Sequence, residues 1–359
     1  MRVLVLWSHP SGYLHSCLNE LAKSAEVTAL MFQPSANAPF DPKCFTEFRY
    51  QPVWIDVQDP FKVINTLSNV MLFSFDICLI SGWNHSFYVN LISRHLSPTC
   101  VRVLCFDWPW ISSFRNYIKA LYGLFYKSRI FDAAFVPGER QYQFAIRAGF
   151  SPKQIFTGLY AADSSLINAA STSQRLDHVV FVGRLVPDKG CDSLISAWHS
   201  LQLSGSFPNN WTLHVYGTGP LRNNFSSLPN CECHGFTQPK DLARALGQSK
   251  ILVAPSQVEP WGLQIHEATC AGLVVIASHS CGSCVHLVRP RVNGDLVPPN
   301  HHRLLENSIK ALVHCADHYP DEFDKMSRNS LALSKQYSPS LWADAVHSIC
   351  ASLAEAKTK

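Results

Sequence analysis

The sequence predicts an α/β fold made of two doubly wound domains. Its 359 residues exceed what a single hydrophobic core comfortably holds, so two domains are expected. Hydrophobic residues make up 47% of the chain and charged residues only 16%, which is typical of a packed globular protein and excludes a disordered one. Short apolar runs alternate with helical patterns almost throughout. Because these runs are continuously apolar, we expect parallel strands that are covered on both faces.

The first half of the chain contains six strand-like runs. They are Val3–Trp7, Val27–Met31, Ile77–Ile80, Val101–Phe106, Ala133–Val136 and Gln154–Phe156. Helical patterns at Ser112–Lys127 and Glu139–Ala148 lie between the later runs. Strands that alternate with helices form parallel sheets, because a crossover helix returns the chain to the same edge of the sheet. We therefore predict one Rossmann-like domain over residues 1–163.

The alternation restarts in the second half with four runs, each followed by a turn that holds Gly or Pro. They are Val179–Val182, Trp211–Tyr216, Ile251–Ala254 and Leu273–Ala277. This pattern predicts a second Rossmann-like domain over residues 177–340. The stretch Ser164–Gln174 is rich in Ser, Ala and Thr, so we predict a linker at residues 164–176. A last helical pattern at Ser340–Leu353 predicts a helix over residues 341–359 that packs back on the first domain.

Composition excludes several classes of protein. The formal charge of +4 is modest and no basic stripe accompanies it, so no nucleic-acid partner is expected. No apolar run approaches the ~20 residues that span a bilayer. The run Val3–Trp7 is too short for a signal peptide and ends in Ser-His-Pro, so we predict a buried first strand. The 13 cysteines are odd in number and scattered, which favours reduced thiols in a cytoplasmic protein over a disulfide framework.

Glu259 and Glu267 are the most informative pair of residues. The apolar strand Ile251–Ala254 leads into a Pro-Trp-Gly turn and then into a helix. The first carboxylate therefore lies on a strand-to-helix loop, and the second lies in the early turns of the helix. The amides that start this helix are donors that suit a phosphate. They belong to Gly262, Leu263 and Gln264. Carboxylates for hydroxyls beside amides for a diphosphate indicate a sugar-nucleotide site.

Two cations follow the first strand of the second half. Gly183 permits a tight turn, and Arg184 and Lys189 place positive charge at the carboxyl edge of the sheet, where α/β proteins bind ligands. Arginine can form a fork on a diphosphate and lysine can add a point charge. Taken alone, two surface cations beside a turn explain the pattern equally well. Beside the two glutamates, diphosphate binding is favoured.

Two further turns follow the next strands. Gly217 and Gly219 form a Gly-x-Gly turn, which is weak evidence by itself because many strand-to-helix turns need flexible φ angles. A close approach of the backbone to a ligand would also require them. His234 and Phe236 follow a short strand on either side of a glycine. They either line a pocket for a base or serve the fold.

Four motifs, in their order and spacing, resemble glycosyltransferase family 4. They are Phe-Val-Gly-Arg-Leu-x-Pro-x-Lys-Gly, Tyr-Gly-x-Gly-Pro, His-Gly-Phe and Pro-Ser-x-x-Glu-Pro-Trp-Gly-Leu-x-x-x-Glu-Ala, within Val179–Pro299. The resemblance implies a retaining enzyme of GT-B architecture, in which two Rossmann-like domains face a central cleft. It also implies a nucleotide-diphosphate sugar as donor, a glycan or lipid-linked acceptor, and a role in polysaccharide biosynthesis.

The resemblance also assigns roles to residues. It implies that Arg184 and Lys189 bind the donor diphosphate, that Glu259 lies near the hydroxyls of the donor sugar, and that Glu267 holds the ribose hydroxyls. The amides at the helix start would contact phosphate or sugar. No Asp-x-Asp motif stands at a strand end, so we expect neither a metal nor a separate cofactor.

The first half departs from the family pattern in two places. Family members often carry a Gly-Gly loop after the first strand, whereas this chain offers only Gly12. Many also place a His after the strand that corresponds to Val101–Phe106, where this chain has Asp107. Asp107 either orients a sugar or caps the strand end. His85 also follows a strand end, and a structural role is favoured for it.

Five residues offer a possible zinc ligand set. They are Cys231, Cys233, His234, Cys281 and Cys284. The first two cysteines are separated by one residue rather than the usual two to four, so a zinc site is not expected.

The aromatic and basic stretch at residues 108–129 has two interpretations. Its helix either packs on the first domain or rests on an anionic membrane at a peripheral contact on the inner face. Apolar residues occur around most of the helix, so packing against the core is favoured.

Two other functional classes stay open beside the glycosyltransferase. The first is a non-catalytic scaffold that binds a sugar nucleotide, and the second is a related two-domain epimerase. Tight donor binding without turnover would indicate the scaffold. A product that forms without any acceptor would indicate the epimerase.

Overall fold

The computed structural model describes residues 1–32, 47–55, 75–127, 130–170 and 175–357. The chain divides into two compact units. One comprises residues 1–161 with 337–359, and the other comprises residues 162–336. Each unit is built around a parallel sheet with helices between the strands, so the predicted α/β class is confirmed.

The first unit contains a seven-stranded parallel sheet in the order β3-β2-β1-β4-β5-β6-β7. The strands are β1 (Arg2–Trp7), β2 (Glu26–Phe32), β3 (Gln51–Ile55), β4 (Ile77–Ser81), β5 (Val101–Cys105), β6 (Ala133–Val136) and β7 (Ile155–Thr157). The helices between them are α1 (Gly12–Leu21), α2 (Ser86–His95), α3 (Phe114–Lys127) and α4 (Glu139–Arg147).

The second unit contains a six-stranded parallel sheet in the order β10-β9-β8-β11-β12-β13. The strands are β8 (His178–Val182), β9 (Thr212–Tyr216), β10 (Cys231–Gly235), β11 (Ile251–Ala254), β12 (Val274–Ser278) and β13 (Gly294–Val297). The helices are α5 (Ser164–Ala170), α6 (Cys191–Leu203), α7 (Arg222–Ser226), α8 (Pro239–Gly247), α9 (Leu263–Cys270), α10 (Cys284–Leu287), α11 (His302–His318) and α12 (Pro320–Ser334).

Both sheets reverse their strand order once. In the first unit the strand order runs outward from β1 on one side and from β4 on the other. In the second unit it runs outward from β8 on one side and from β11 on the other. In open parallel sheets, crossovers on opposite sides of the reversal leave a crevice at the carboxyl ends of these two strands, and ligands bind there. The fold therefore marks one candidate crevice in each unit.

Strand β1 shows why the apolar runs are continuous. Leu4 and Leu6 belong to the core on one face of the sheet, while Val3 and Val5 belong to the core on the other. Each of these side chains is fully buried. Burying a Leu or Val side chain stabilises the fold by about 1.5–3 kcal/mol. A strand covered on both faces must therefore be apolar at every position.

A last helix, α13 (Pro339–Lys357), returns to the first unit and packs on α1. Trp342 and Val346 are buried in the same cluster as Leu14 and Leu18 of α1. The Trp342 indole Nε1 donates a hydrogen bond of 3.0 Å to the Leu159 carbonyl. The helix thus completes one face of the first sheet.

The stretch predicted as a linker contains the helix α5, which belongs to the second unit. Asp163 caps its start, because the Leu166 amide and the Ser165 hydroxyl both donate to Asp163 Oδ1, at 3.1 and 2.7 Å. The Ala162 amide donates to His266 Nδ1 at 3.0 Å, and this bond ties the beginning of the unit to α9. Ordered structure in this unit therefore starts at residue 162, before the predicted linker.

Helix α3 differs most from its prediction. Packing against the core was favoured for it, but this interpretation is wrong for most of its side chains. Phe114 is 79% exposed and Leu121 is 67% exposed, while Ala120 is buried. Among the described residues, no helix is both long and apolar enough to cross a membrane.

Candidate functional site

Backbone hydrogen bonds connect the carboxyl ends of β8, β9 and β10 and the loops that follow them, at one edge of the second sheet. The Gly183 amide donates to the Tyr216 carbonyl at 2.9 Å, and the Gly217 amide donates to the Gly235 carbonyl at 2.7 Å. At Gly217 the φ angle is +144°, and a Cβ there would lie 1.8 Å from the Gly183 carbonyl oxygen. Gly219 meets the Leu185 carbonyl in a similar way. The Gly-x-Gly turn is thus required by backbone packing between neighbouring loops.

The central feature of the second crevice is an ion pair between Lys189 and Glu259. Lys189 ends a 3₁₀ turn that follows β8, and Glu259 lies on the loop that follows β11. The Lys189 Nζ donates to Glu259 Oε2 at 2.5 Å, and the two side chains are 18% and 9% exposed. The Gln264 Nε2 donates to the same carboxylate oxygen at 3.2 Å. Because β8 and β11 flank the reversal of strand order, the pair lies where parallel sheets bind ligands.

Backbone contacts hold the two halves of this pair in place. The Gln257 amide donates to the Asp188 carbonyl at 2.8 Å, so the carboxylate loop is joined to the 3₁₀ turn. A second loop packs from the other side, where the Gly282 amide donates to the Glu259 carbonyl at 3.1 Å. A Cβ at Gly282 would lie 2.0 Å from the Pro260 carbonyl oxygen. The Cys-Gly-Ser-Cys segment, considered as a zinc ligand set, is therefore a support for the carboxylate loop.

Helix α9 begins beside the ion pair. Gly262 precedes the helix with a φ of +93°, a left-handed conformation that favours glycine. Among the described residues, none accepts a hydrogen bond from the first three amides at this helix start. They belong to Gly262, Leu263 and Gln264. The free N–H groups and the positive end of the helix dipole together attract an anion.

Arg184 lies on the loop after β8, five residues before Lys189, and its side chain is exposed. Among the described residues, no carboxylate forms an ion pair with its guanidinium. The structure therefore brings Lys189, Glu259 and Gln264 into contact, and leaves Arg184 as an exposed cation on the same loop as Lys189.

Glu267 differs from Glu259 in its environment. It lies in α9 and is partly buried, and among the described residues no group donates a hydrogen bond to its carboxyl. Burial, and then the nearby Asp163 carboxylate, raises the pKa of Glu267 to about 7. Hydroxyl groups of a ligand that donate hydrogen bonds to this buried carboxyl group would stabilise its charged form.

His234 packs against other aromatic rings of the second sheet. Its ring stacks on Tyr216 with the centroids 4.5 Å apart, and its Nε2 lies 2.9 Å from His214 Nδ1. Burial and two neighbouring imidazoles lower the pKa of His214 to about 4. Phe236 follows two residues later and is partly buried. These contacts give His234 a structural role that is independent of any base.

One group among the described residues could hold a metal ion. It consists of His214, Glu232 and His234, whose ligand atoms lie within 4.8 Å of one another. The Glu232 carboxylate lies 3.8 Å from His214 Nδ1 and 3.9 Å from His234 Nε2. The hydrogen bond between the two imidazoles accounts for their spacing without an ion.

The first unit has a cavity of about 250 Å³ at the carboxyl ends of β1, β4 and β5. Its polar lining includes Ser8, Ser81 and Asn84 beside the candidates His85 and Asp107. Aromatic side chains complete the wall. They are Trp7, Phe106, Trp108 and Tyr160. Polar groups beside flat aromatic faces suit a ligand that has hydroxyl groups and apolar C–H faces, such as a sugar.

Asp107 and His85 have different partners in this cavity. The Tyr160 hydroxyl donates to Asp107 Oδ2 at 3.1 Å. The His85 Nε2 lies 2.8 Å from the Ser8 hydroxyl, which lies 2.9 Å from the Ser81 hydroxyl. Burial, and then the neighbouring His9, lowers the pKa of His85. The structure thus places both residues in one cavity.

Gly12 begins helix α1 in the first unit. The next residue, Tyr13, contacts Tyr160 edge to face with ring centroids 4.9 Å apart. The Tyr13–Tyr160 contact was not predicted from the sequence, because the two residues are distant in the chain. The Gln264 side chain was also missed, since only its amide was considered. Its position five residues after Glu259, at a helix start, was the available signal.

Comparison with known proteins agrees with this arrangement. Residues 168–330 match the family model described as glycosyl transferases group 1. An uncharacterized glycosyltransferase of Methanocaldococcus jannaschii is 30% identical over 132 residues, which are 34% of this chain and 32% of that protein. The chain therefore matches about a third of the length of that relative.

Solved structures match nearly the whole chain. HepE of Anabaena, in complex with UDP and glucose, is 18% identical with a TM-score of 0.72, over 98% of this chain and 100% of that one. Sucrose-phosphate synthase from Thermosynechococcus elongatus is 16% identical with a TM-score of 0.73, over 99% and 100%. These similarities establish the GT-B fold. The residues that match the group 1 model, 168–330, all lie within the second unit.

Proposed function

We propose that this protein is a retaining glycosyltransferase that moves a sugar from a nucleotide-diphosphate sugar to an acceptor hydroxyl. The observation that carries the proposal is the contact of Lys189, Glu259 and Gln264 beside the free amides of a helix start. A diphosphate requires cations and N–H donors, whereas a sugar requires carboxylate and amide groups for its hydroxyls. Both requirements are met within one crevice.

The donor half of the mechanism is electrostatic. When the bond between the anomeric carbon and the diphosphate oxygen breaks, negative charge develops on the leaving group. Lys189, the exposed Arg184 and the amides at the start of α9 stabilise that charge without the need for a metal. Glu259 holds the hydroxyls of the sugar, and Glu267 holds those of the ribose. His234 and Phe236 border the base, and Gly183, Gly217 and Gly219 shape the loops around it.

We assign the acceptor to the cavity of the first unit; Gly12 begins α1, whose Tyr13 contacts Tyr160 of the cavity wall. Asp107 accepts a hydrogen bond from the incoming hydroxyl and orients it, and the aromatic wall binds the C–H faces of its sugar. The acceptor oxygen forms the new bond to the anomeric carbon, and its proton leaves with the diphosphate. The acceptor is a glycan or a lipid-linked glycan, as expected in polysaccharide biosynthesis.

We also propose a cytoplasmic location. Several thiols lie within the cores, and burial raises the pKa of Cys78 and Cys105 well above the usual range. Protonated, buried thiols suit a reducing compartment.

Assays with a panel of nucleotide sugars test the proposal. UDP-sugars come first, because HepE was solved in complex with UDP and glucose. We expect the true donor to raise the melting temperature of the protein by mass action. Lys189→Ala and Glu259→Ala should each abolish most transfer, whereas Lys325→Ala, an exposed lysine on α12, should not.

Unchanged transfer in both active-site variants would refute the proposal. Tight donor binding without transfer or hydrolysis would instead support the scaffold, and a converted donor without any acceptor would support an epimerase. Retention is read from the anomeric configuration of the product by NMR.

A further inference from the structure

Helix α3 of the first unit carries an apolar stripe on its outer side. We define the stripe as Phe114, Ile118, Leu121 and Phe125, which recur at the spacing of one helix face. They are 79%, 52%, 67% and 55% exposed. Tyr117, Tyr122 and Leu124 widen the face, each with at least 45% of its surface exposed. A row of large apolar side chains that are exposed on one helix face marks an interaction site on a globular protein.

The most deeply buried residues of the helix are its smallest. Ala120 is 6% exposed, and Gly123 is buried. A Cβ at Gly123 would lie 2.7 Å from the Ala148 Cβ and 3.1 Å from the Trp83 ring. The usual amphipathic order is therefore reversed, with small residues facing inward and large apolar residues facing water. Each side chain of the stripe is more than half exposed, so burial in the first unit does not account for its apolar character.

The segment that carries the stripe has charged residues of a single sign. From Trp108 to Phe131 the sequence contains four basic residues and no acidic residue. Arg115 and Lys119, on α3 itself, are both exposed on one flank of the stripe. An apolar helix face on a segment whose only charged residues are cations is complementary to a surface that offers acyl chains beneath anionic groups.

We propose that the stripe docks on an anionic lipid surface and holds the first unit there. The 14 residues of α3 extend for about 21 Å, so the helix lies along such a surface and does not cross it. The aromatic residues sit among the headgroups and the cations pair with anionic lipids.

Docking through α3 would also select the acceptor. Trp108 lines the cavity assigned to the acceptor, and Lys119 of α3 lies over its ring at 5.1 Å. Tyr122 of α3 contacts Trp83, which packs on Trp108 with centroids 5.1 Å apart. The cavity and helix α3 are thus joined through two tryptophans. We infer an acceptor sugar carried on a membrane lipid, a step that rests on the proposed function.

Sedimentation with vesicles tests the docking. Vesicles of phosphatidylcholine with phosphatidylglycerol should bind the full chain, and vesicles of phosphatidylcholine alone should bind it about 10-fold less. The variant Phe114→Gln/Leu121→Gln/Phe125→Gln should lose this binding, because glutamine keeps the helix propensity but removes the apolar surface. Leu203→Gln is the matched control, since Leu203 is 72% exposed on α6 of the second unit.

A second variant tests the charge without touching the stripe. Arg115→Glu/Lys119→Glu should weaken binding to the anionic vesicles, and added salt should weaken binding of the parent chain in the same direction. Equal binding of the parent chain to both vesicle types, or intact binding in the glutamine variant, would overturn the proposal. The proposal would also be overturned if the parent chain did not bind vesicles and instead formed a dimer through the stripe, as measured by ultracentrifugation.

Failure of the docking and failure of the proposed function give different results. Vesicle binding is measured without donor, so it stands even if no sugar is transferred. Conversely, the glutamine variant should keep its thermal shift with donor and its transfer to a soluble acceptor mimic. Its transfer to a lipid-linked acceptor in vesicles should fall about 10-fold or more.

Discussion

Lys189 and Glu259 lie 70 residues apart in the chain, yet their side chains form an ion pair of 2.5 Å. Each charge is mostly removed from water, so each depends on the other. In our proposal the diphosphate of the donor competes with Glu259 for the ammonium group. On donor binding, the Lys189 ammonium group would pair with the diphosphate. The sugar hydroxyls would then donate hydrogen bonds to the Glu259 carboxylate in place of the ammonium group.

Breaking the ion pair from one side should destabilise the second unit. Because each single variant leaves a partly buried charge without its partner, we expect Lys189→Met or Glu259→Gln to cost about 1–3 kcal/mol. The double variant should cost less than the sum of the two, since neither charge remains. Calorimetric unfolding of the four proteins measures this. Additive losses would show that the pair is energetically uncoupled.

Gly217→Ala should destabilise the same unit far more than an alanine at an open glycine. A Cβ at Gly217 would lie 1.8 Å from a backbone oxygen, whereas nothing lies within 4 Å of a Cβ at Gly205, which has a φ of +63°. Backbone strain alone costs about 1 kcal/mol at Gly205, while the clash at Gly217 should raise the cost above about 3 kcal/mol. Equal melting temperatures in the two variants would contradict this reading of the loops.

Donor binding should strengthen as the pH rises through neutrality. The pKa of Glu267 is raised to about 7 in the free protein, so the group is largely protonated below that pH. Ribose hydroxyls that donate to the carboxylate favour its charged form, and binding then releases a proton. Titration calorimetry near pH 7 in buffers of different ionisation enthalpy detects that proton. Glu267→Gln should abolish the release, and an unchanged release would exclude Glu267 as its source.

The contribution of Glu267 to the stability of the fold should fall as the pH rises, whereas donor binding should strengthen. Because the folded pKa is raised above the unfolded value of 4.5, the folded state holds a proton that the unfolded state loses. Glu267 therefore favours folding less and less as the pH rises from about 4.5 to 7. Glu267→Gln removes this slope, which thermal unfolding at several pH values measures.

Asp107→Asn should impair transfer but not donor binding. If the carboxylate orients the acceptor hydroxyl, loss of its charge should lower kcat/KM for the acceptor about 10- to 100-fold. The donor-dependent thermal shift should remain, because Asp107 lies in the first unit. Asn84→Ala serves as a comparison from the same cavity wall. A variant with normal transfer would favour the alternative role of Asp107 as a strand-end residue that holds Tyr160.

The strands that the sequence predicts best are those that are buried on both faces. β1 and β11 are apolar at nearly every position, and their short length and the turn residues that follow them predict buried strands. Strand β3 was missed because it lies at an edge of the sheet, is partly exposed and contains Pro52. Because an edge strand is partly exposed to water, its sequence need not be apolar at every position.

Other features depended on contacts between residues that are distant in the chain. The outward direction of the α3 stripe could not be predicted, because a core helix and an exposed apolar helix have the same composition. The two tyrosines near Asp107 and the support of Glu259 by Gly282 likewise arise only when separate loops meet. Helix α5 had one signal in the sequence, because Asp163 is a residue type that caps helix starts and Leu166 and Ala169 after it favour a helix.

The return of α13 to the first unit has a consequence for how the chain folds during synthesis. The second unit is one continuous segment, residues 162–336, and can close as soon as that segment has left the ribosome. The first unit is discontinuous, and one face of α1 stays uncovered until Trp342 and Val346 have been made. We therefore expect the unit that is translated first to be completed last. A nascent chain stalled before residue 337 would present that apolar face to chaperones.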